Sequence, residues 1–135
     1  MKFRERLLNV IRGLTKNFRE DELAYLALTS KIETQIRDKI AFELHNQVSD
    51  HYLVCREWVK KIKRNRKEYE IRTDLAIIRK RNLYPTHLIE FKAHSSFGYG
   101  SDFKKDLGID FRNMKDVAKK NTKMYYVFIN SFSDS

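Results

Sequence analysis

The chain has 135 residues, of which 34% are charged and 41% hydrophobic, and it carries a formal net charge of +10. This length fits one domain with its own core, and the composition is that of a globular chain, not a disordered one. The charge predicts an anionic partner, with nucleic acid first and an anionic membrane surface second. Because no stretch resembles a signal peptide or a membrane span and Cys55 has no second cysteine to pair with, we expect a cytoplasmic protein without disulfides.

The first third of the chain is predicted to be helical. Apolar residues from Phe3 to Leu14 recur at helical spacing, and a short second helix is predicted over Glu20–Leu28. Ser30 is then positioned to cap a longer helix whose apolar stripe contains Ile32, Ile36, Ile40 and Leu44.

Strands dominate the remainder. Three are predicted, at Tyr52–Val59, Glu70–Arg79 and His87–His94, joined by connections short enough for antiparallel hairpins. A helix capped by Ser101 follows, and then an apolar strand, Met124–Ile129. A strand reached through a helical crossover is expected to run parallel to its partner, so the pattern predicts an α/β fold with a mixed sheet.

Charged residues interrupt two of these apolar strands. Asp74 opens the run Asp-Leu-Ala-Ile-Ile, and Glu90 and Lys92 lie within Leu-Ile-Glu-Phe-Lys-Ala. Glu90 and Lys92 share a face because side chains alternate along a strand, and Asp74 joins them if the strands are neighbours. Two carboxylates beside an ammonium group are typical of a hard-cation site with a general acid or base. The alternative is a structural ion pair at a sheet edge.

These residues resemble the PD-(D/E)XK nuclease superfamily, whose restriction endonuclease-like core runs helix, three antiparallel strands, helix, strand. The resemblance matches Asp74 to the acid of the second strand and Glu90-Phe91-Lys92 to the (D/E)-x-K motif of the third. It implies a single nuclease-like domain, with a core over 30–130 and a helical extension over 1–29. Thr73 stands at the position of the proline in the family's name.

The resemblance also implies how the site works. Asp74, Glu90 and the Phe91 carbonyl would bind Mg2+, with Mn2+ able to substitute, and Lys92 would position the attacking water or stabilise developing charge. Glu33 on the first core helix corresponds to an additional acid found in the family. Alternatively, Glu33 completes a capping box with Ser30.

A second (D/E)-x-K string, Asp102-Phe103-Lys104, occurs at the start of a predicted helix. Residues two apart on a helix point in different directions, so this acid and lysine would not share a face. Only Glu90-Phe91-Lys92 has the strand context that the motif requires.

Basic residues cluster in the two connections between the predicted strands. Such runs typically contact phosphates without regard to sequence, although a solvated hairpin tip is the alternative. The residues predicted to bind nucleic acid are Lys60, Lys61, Lys63, Arg64, Arg66, Lys67, Arg79, Lys80 and Arg81.

The sequence therefore predicts a Mg2+-dependent nuclease that hydrolyses DNA, of the endonuclease type, with RNA also possible as a substrate. No recognition domain is evident, so specificity would come from a homodimer, a partner subunit or the shape of the substrate. One alternative is a non-catalytic nucleic-acid-binding module on the same fold. Another is a basic protein that binds a protein partner or a membrane, although we expect no membrane association.

Overall fold

The computed structural model describes residues 2–19, 21–22, 25, 32–95 and 101–131. Its helices are α1 (Phe3–Arg12), α2 (Leu14–Asn17), α3 (Ile32–Val48) and α4 (Ser101–Val117), and its strands are β1 (Tyr52–Arg64), β2 (Lys67–Arg79), β3 (Tyr84–Ser95) and β4 (Lys123–Ser131). The α/β class is confirmed. The Ser30 cap, the loop at 96–100 and most of the helix predicted over Glu20–Leu28 lie outside the described residues.

The four strands form one mixed sheet in the order β1-β2-β3-β4. The strands β1, β2 and β3 are antiparallel neighbours, whereas β4 returns through helix α4 and pairs parallel to β3. The predicted parallel crossover is therefore confirmed.

The hairpin of β1 and β2 is longer than predicted. Residues 60–69 were expected to form a connection, but both strands continue to a two-residue turn at Asn65 and Arg66. The extension is stabilised by contacts that are distant in sequence, because Ile62 packs on a core cluster containing Met114, and Arg64 pairs with Asp116 of α4. The strand β3 likewise begins at Tyr84, within the connection predicted to run to residue 86.

The core has two layers, one on each face of the sheet. Helices α1 and α3 pack on one face through residues such as Val10, Ile40 and Leu44. On the other face, Met114 and Val117 of α4 pack against the sheet. Within the described ranges, no helix is long and apolar enough to cross a membrane.

The hairpin turn provides a test of this fold. Asn65 and Arg66 both have positive φ, 49° and 66°, as a type I′ turn requires. Because Asn-Gly is the preferred pair for this turn, Arg66→Gly should raise the free energy of unfolding by about 1 kcal/mol, measured by urea denaturation. Lys67→Gly, one position into β2, should lower it, since glycine weakens a strand. Equal loss in both variants would contradict the assigned turn.

Candidate functional site

Strands β2 and β3 separate at Asp74 and Glu90. Their register runs from the pair of Arg79 and Tyr84 to the pair of Leu75 and Ile89, and the next position would join the two acids. Instead, each carboxylate accepts a hydrogen bond from the other strand. The Asp74 N–H donates to Glu90 Oε1 at 3.2 Å, and the Phe91 N–H donates to Asp74 Oδ2 at 2.8 Å. The structure thus brings the two predicted acids together at a fork in the sheet.

The Glu90 carboxyl is deeply placed, since the residue is 9% exposed. Burial, followed by the nearby Asp74 carboxylate, raises the pKa of Glu90 from 4.5 to about 9. Two carboxylates in a poorly hydrated place cannot both carry charge without a large electrostatic penalty. At neutral pH the pair therefore holds one proton, or else a cation must take its place.

Lys92 lies two residues beyond Glu90 on the same face and contacts helix α4. Its Nζ is 3.6 Å from Oδ2 of Asp110, and both side chains are about one quarter exposed. Asp110 also contributes to the raised pKa of Glu90. Sequence reasoning missed Asp110, because an acid on a helix of mixed composition is normally read as a solvated residue.

Two buried hydroxyl groups belong to residues that adjoin the acids in the sheet or in the sequence. Tyr126 is the register partner of Glu90 on β4, and Thr73 precedes Asp74. Among the described residues, neither hydroxyl oxygen has a hydrogen-bond partner of normal geometry. Burial and then the Asp110 carboxylate raise the pKa of Tyr126. The hydrogen bond to Asp110 that contributes to this shift places the Tyr126 hydroxyl near the acid that also contacts Lys92.

Strand β1 is also irregular next to Asp74. Glu57 lies between the pairs that Arg56 and Trp58 form with β2, opposite Asp74, and its φ is 51°. Cys55 and Trp58 contact the same core cluster although they are three residues apart, so the alternation of faces breaks at Glu57. Buried Arg37 of α3 reaches Glu57 Oε1 at 3.4 Å. Left-handed conformations outside glycine are unfavourable and cluster at functional sites.

The carboxylate pair offers the oxygen ligands that hard divalent cations prefer. Within residues 2–19, 21–22, 25, 32–95 and 101–131, no group of three or more His, Cys, Asp and Glu residues is placed to hold a metal ion. Mg2+, however, is often bound through only one or two carboxylates and keeps several waters. Asp74 and Glu90 match that requirement in number and in chemical type. The proton on Glu90 offsets negative charge that a bound ion would otherwise neutralise.

The other acids of the sequence motifs lie on helices. Glu33 is in the first turn of α3, which packs on the face of the sheet opposite α4, and its residue is partly buried. Whether it completes the site or caps the helix stays a prediction, since Ser30 is outside the described residues. The second motif match, at 102–104, falls on helix α4 as expected.

The predicted basic residues lie mainly on strands, and not in the two connections where they were expected. Lys60, Lys61, Lys63 and Arg64 lie on β1, Arg66 in the turn, Lys67 and Arg79 on β2, and Lys80 and Arg81 in the next turn. Arg64 differs from the rest, because it is held by Asp116 and by Asn113 Oδ1 at 3.1 Å. Exposed cations such as Lys61 and Lys63 are therefore better placed than Arg64 to contact phosphates.

Comparison with known proteins does not assign the site. No protein-family model, no curated protein and no solved structure matches this chain.

The raised pKa of Glu90 predicts a pH-dependent stability. In the unfolded chain Glu90 ionises above pH 4.5, whereas in the folded protein it keeps its proton until about pH 9. Stability is therefore lost as pH rises through this window, by up to about 1.4 kcal/mol per pH unit. Gln keeps the acceptor for the Asp74 N–H but does not titrate. The free energy of unfolding of Glu90→Gln, relative to that of the parent, should therefore increase from about pH 5.5 to about pH 8.5.

Chemical denaturation at several pH values in metal-free buffer measures this difference. The matched control is Glu68→Gln, at an exposed position of β2, and it should show no such trend. A difference between Glu90→Gln and the parent that stays constant with pH would mean that Glu90 is ionised in the folded protein.

Proposed function

We propose that this protein is a Mg2+-dependent nuclease that hydrolyses phosphodiester bonds of DNA as an endonuclease, on a core of the PD-(D/E)XK type. The observation that carries the proposal is the Asp74 and Glu90 pair at the fork between two strands, with Glu90 buried and Lys92 on the same face. The net charge of +10 supports an anionic polymer as substrate.

Asp74 and Glu90 would hold the ion, together with the Phe91 carbonyl that the family resemblance adds. A bound Mg2+ supplies neutralisation of phosphate charge and lowers the pKa of a coordinated water. The chain's own part is to keep the two carboxylates in place, and the backbone N–H groups of Asp74 and Phe91 do this by fixing one oxygen of each. The second oxygen of each carboxylate takes no part in these two hydrogen bonds.

Lys92 brings a positive charge to the same face of the sheet. Asp110 holds the ammonium group at 3.6 Å, which limits its orientations before substrate binds. A fixed cation stabilises charge that develops in a transition state more effectively than a mobile one, because little reorganisation is needed. We assign Lys92 to this electrostatic role or to positioning the attacking water, and Asp110 to positioning Lys92.

The main alternative is a non-catalytic nucleic-acid-binding module on the same fold. One observation favours it: each acid already accepts a backbone hydrogen bond across the fork, which is a structural role in itself. Such a role does not require Lys92, and it does not explain why a second acid is buried beside the first. The two functions differ in whether cleavage depends on the three residues.

A nicking assay on supercoiled plasmid DNA with Mg2+ tests the proposal. Asp74→Asn, Glu90→Gln and Lys92→Met should each lower the rate at least about a hundredfold, equivalent to ~2.7 kcal/mol of barrier. The first two each remove a carboxylate that would bind the ion, and the third removes the positive charge of the site. Asp102→Asn alters the second motif match and should cleave at the parental rate. Full activity in any of the three site variants would refute the assignment, as would a parent without metal-dependent cleavage.

Glu33→Gln separates the two roles of that residue. Gln completes a capping box as well as Glu does, so thermal stability should hardly change in either case. A carboxylate that orients water or ligands loses its charge, and we expect a rate loss of about tenfold or more, ~1.4 kcal/mol. Parental cleavage at every Mg2+ concentration would restrict Glu33 to the helix terminus.

A further inference from the structure

Cations from separate segments meet at the end of the sheet where β2 ends and β3 and β4 begin. A cleft of about 330 Å³ lies there, and Arg79, Tyr84, Lys120 and Lys123 are among its lining residues. We call this the cationic cleft. Its described lining contains no Asp or Glu. Lys120 lies in the connection after α4, and Lys123 begins β4. Neither residue is among those predicted from the sequence to bind nucleic acid.

Tyr84 organises the cleft. Its hydroxyl donates a hydrogen bond to the carbonyl oxygen of Lys120, which joins β3 to the connection before β4. The Arg79 guanidinium lies 5.8 Å from the centre of the Tyr84 ring, and the Lys119 ammonium lies 5.9 Å from it. Cation–π contacts at these distances restrain long side chains and so keep positive charge near the cleft.

Lys119 links the cleft to the hairpin. Burial and then the neighbouring Lys119 lower the pKa of Lys60, so the two ammonium groups lie close together. Lys60 also lies 5.8 Å from the centre of the Trp58 ring. The positive surface is thus continuous from the cleft to the basic strand β1.

Within the part of the chain that the structure describes, no ion pair is observed for Arg79, Lys119, Lys120 or Lys123. The ion pairs observed among the described residues involve Arg37, Arg56, Arg64 and Lys92. Asp50 lines a neighbouring depression that also contains Arg79, and it is not among the residues that line the cationic cleft. Like charges gathered without counter-charges are unfavourable, and a bound polyanion offsets that repulsion.

We propose that the cationic cleft binds backbone phosphates of a nucleic acid, at a second contact region beyond the carboxylate pair. The proposal rests on the proposed nuclease function for the identity of the polyanion. A cleft suits the ridge of phosphates along a strand, whereas a membrane presents a flat surface. The side chains supply charge and hydrogen bonds without base-specific geometry, so the contact should not depend on sequence.

The register gives the distance of this region from the acids. Lys123 pairs with His87 and Tyr126 pairs with Glu90, so cleft and site are three residues apart along β4, about 10 Å. Because side chains alternate along β4, Lys123 lies on the face of Tyr125 and Tyr126 lies on the other face, so this spacing is measured along the strand and is not a distance between the side chains.

The test measures binding without cleavage. The affinity of the full chain for a fluorescent DNA duplex is measured in EDTA at several salt concentrations. Three proteins are compared: the parent, the cleft variant Lys120→Gln with Lys123→Gln, and the control variant Lys16→Gln with Lys39→Gln. The control pair removes the same charge from exposed positions on α2 and α3, neither of which is among the residues that line the cleft. The slope of log affinity against log salt should fall by about 1.8 in the cleft variant, since each lost phosphate contact lowers it by about 0.9, and should stay at the parental value in the control.

Other outcomes overturn the proposal. Equal slopes in the cleft variant and the control would show that the cleft does not contact DNA. Loss of binding to phosphatidylserine vesicles in the cleft variant, with unchanged DNA binding, would assign the cleft to a membrane surface. Because no metal is present, these results are independent of the nicking assay: a parent that binds DNA through the cleft but never cleaves it contradicts only the nuclease function.

Discussion

The carboxyl groups of Asp74 and Glu90 meet where β2 and β3 separate, and each accepts a backbone hydrogen bond from the opposite strand. The rest of the site depends on this interaction. Burial and the neighbouring Asp74 carboxylate raise the pKa of Glu90 to about 9, so Glu90 keeps its proton at neutral pH. Such a pair is less stable than an apolar pair of the same size, because desolvation of an acid outweighs one hydrogen bond. The proposed nuclease function accounts for it, since a divalent cation would take the place of the proton.

The surrounding architecture follows from the fork at which the pair lies. Where β2 and β3 separate, side-chain oxygens replace the carbonyls of a regular ladder as acceptors for two N–H groups. On the other side of β2, Glu57 adopts a positive φ and the alternation of β1 changes faces. The far half of the hairpin consequently packs on α4, where Arg64 meets Asp116. The same helix presents Asp110 to Lys92, so one element supports both the hairpin and the site.

Sequence reasoning succeeded where local pattern decides the outcome. The apolar runs around Asp74 and Glu90 predict neighbouring strands, and a helix between two strands predicts the parallel pairing of β4. It failed where contacts distant in sequence decide. The length of the hairpin depends on a partner of Arg64 that is 52 residues away, and the polar residues around it resemble a loop. Asp110 and Tyr126 adjoin the acids only through tertiary packing, and nothing in their local sequence distinguishes them from ordinary residues.

The proposed function requires the Asp74 and Glu90 pair to exchange its proton for a divalent cation. Calorimetric titration with Mn2+ at about pH 7.5, in two buffers of different ionisation enthalpy, measures the protons released on binding. Nearly one proton per ion is expected for the parent, and binding should be strongly weakened in Glu90→Gln, which has no proton to exchange. Mn2+ binding without proton release, or with the same affinity in Glu90→Gln, would contradict the account.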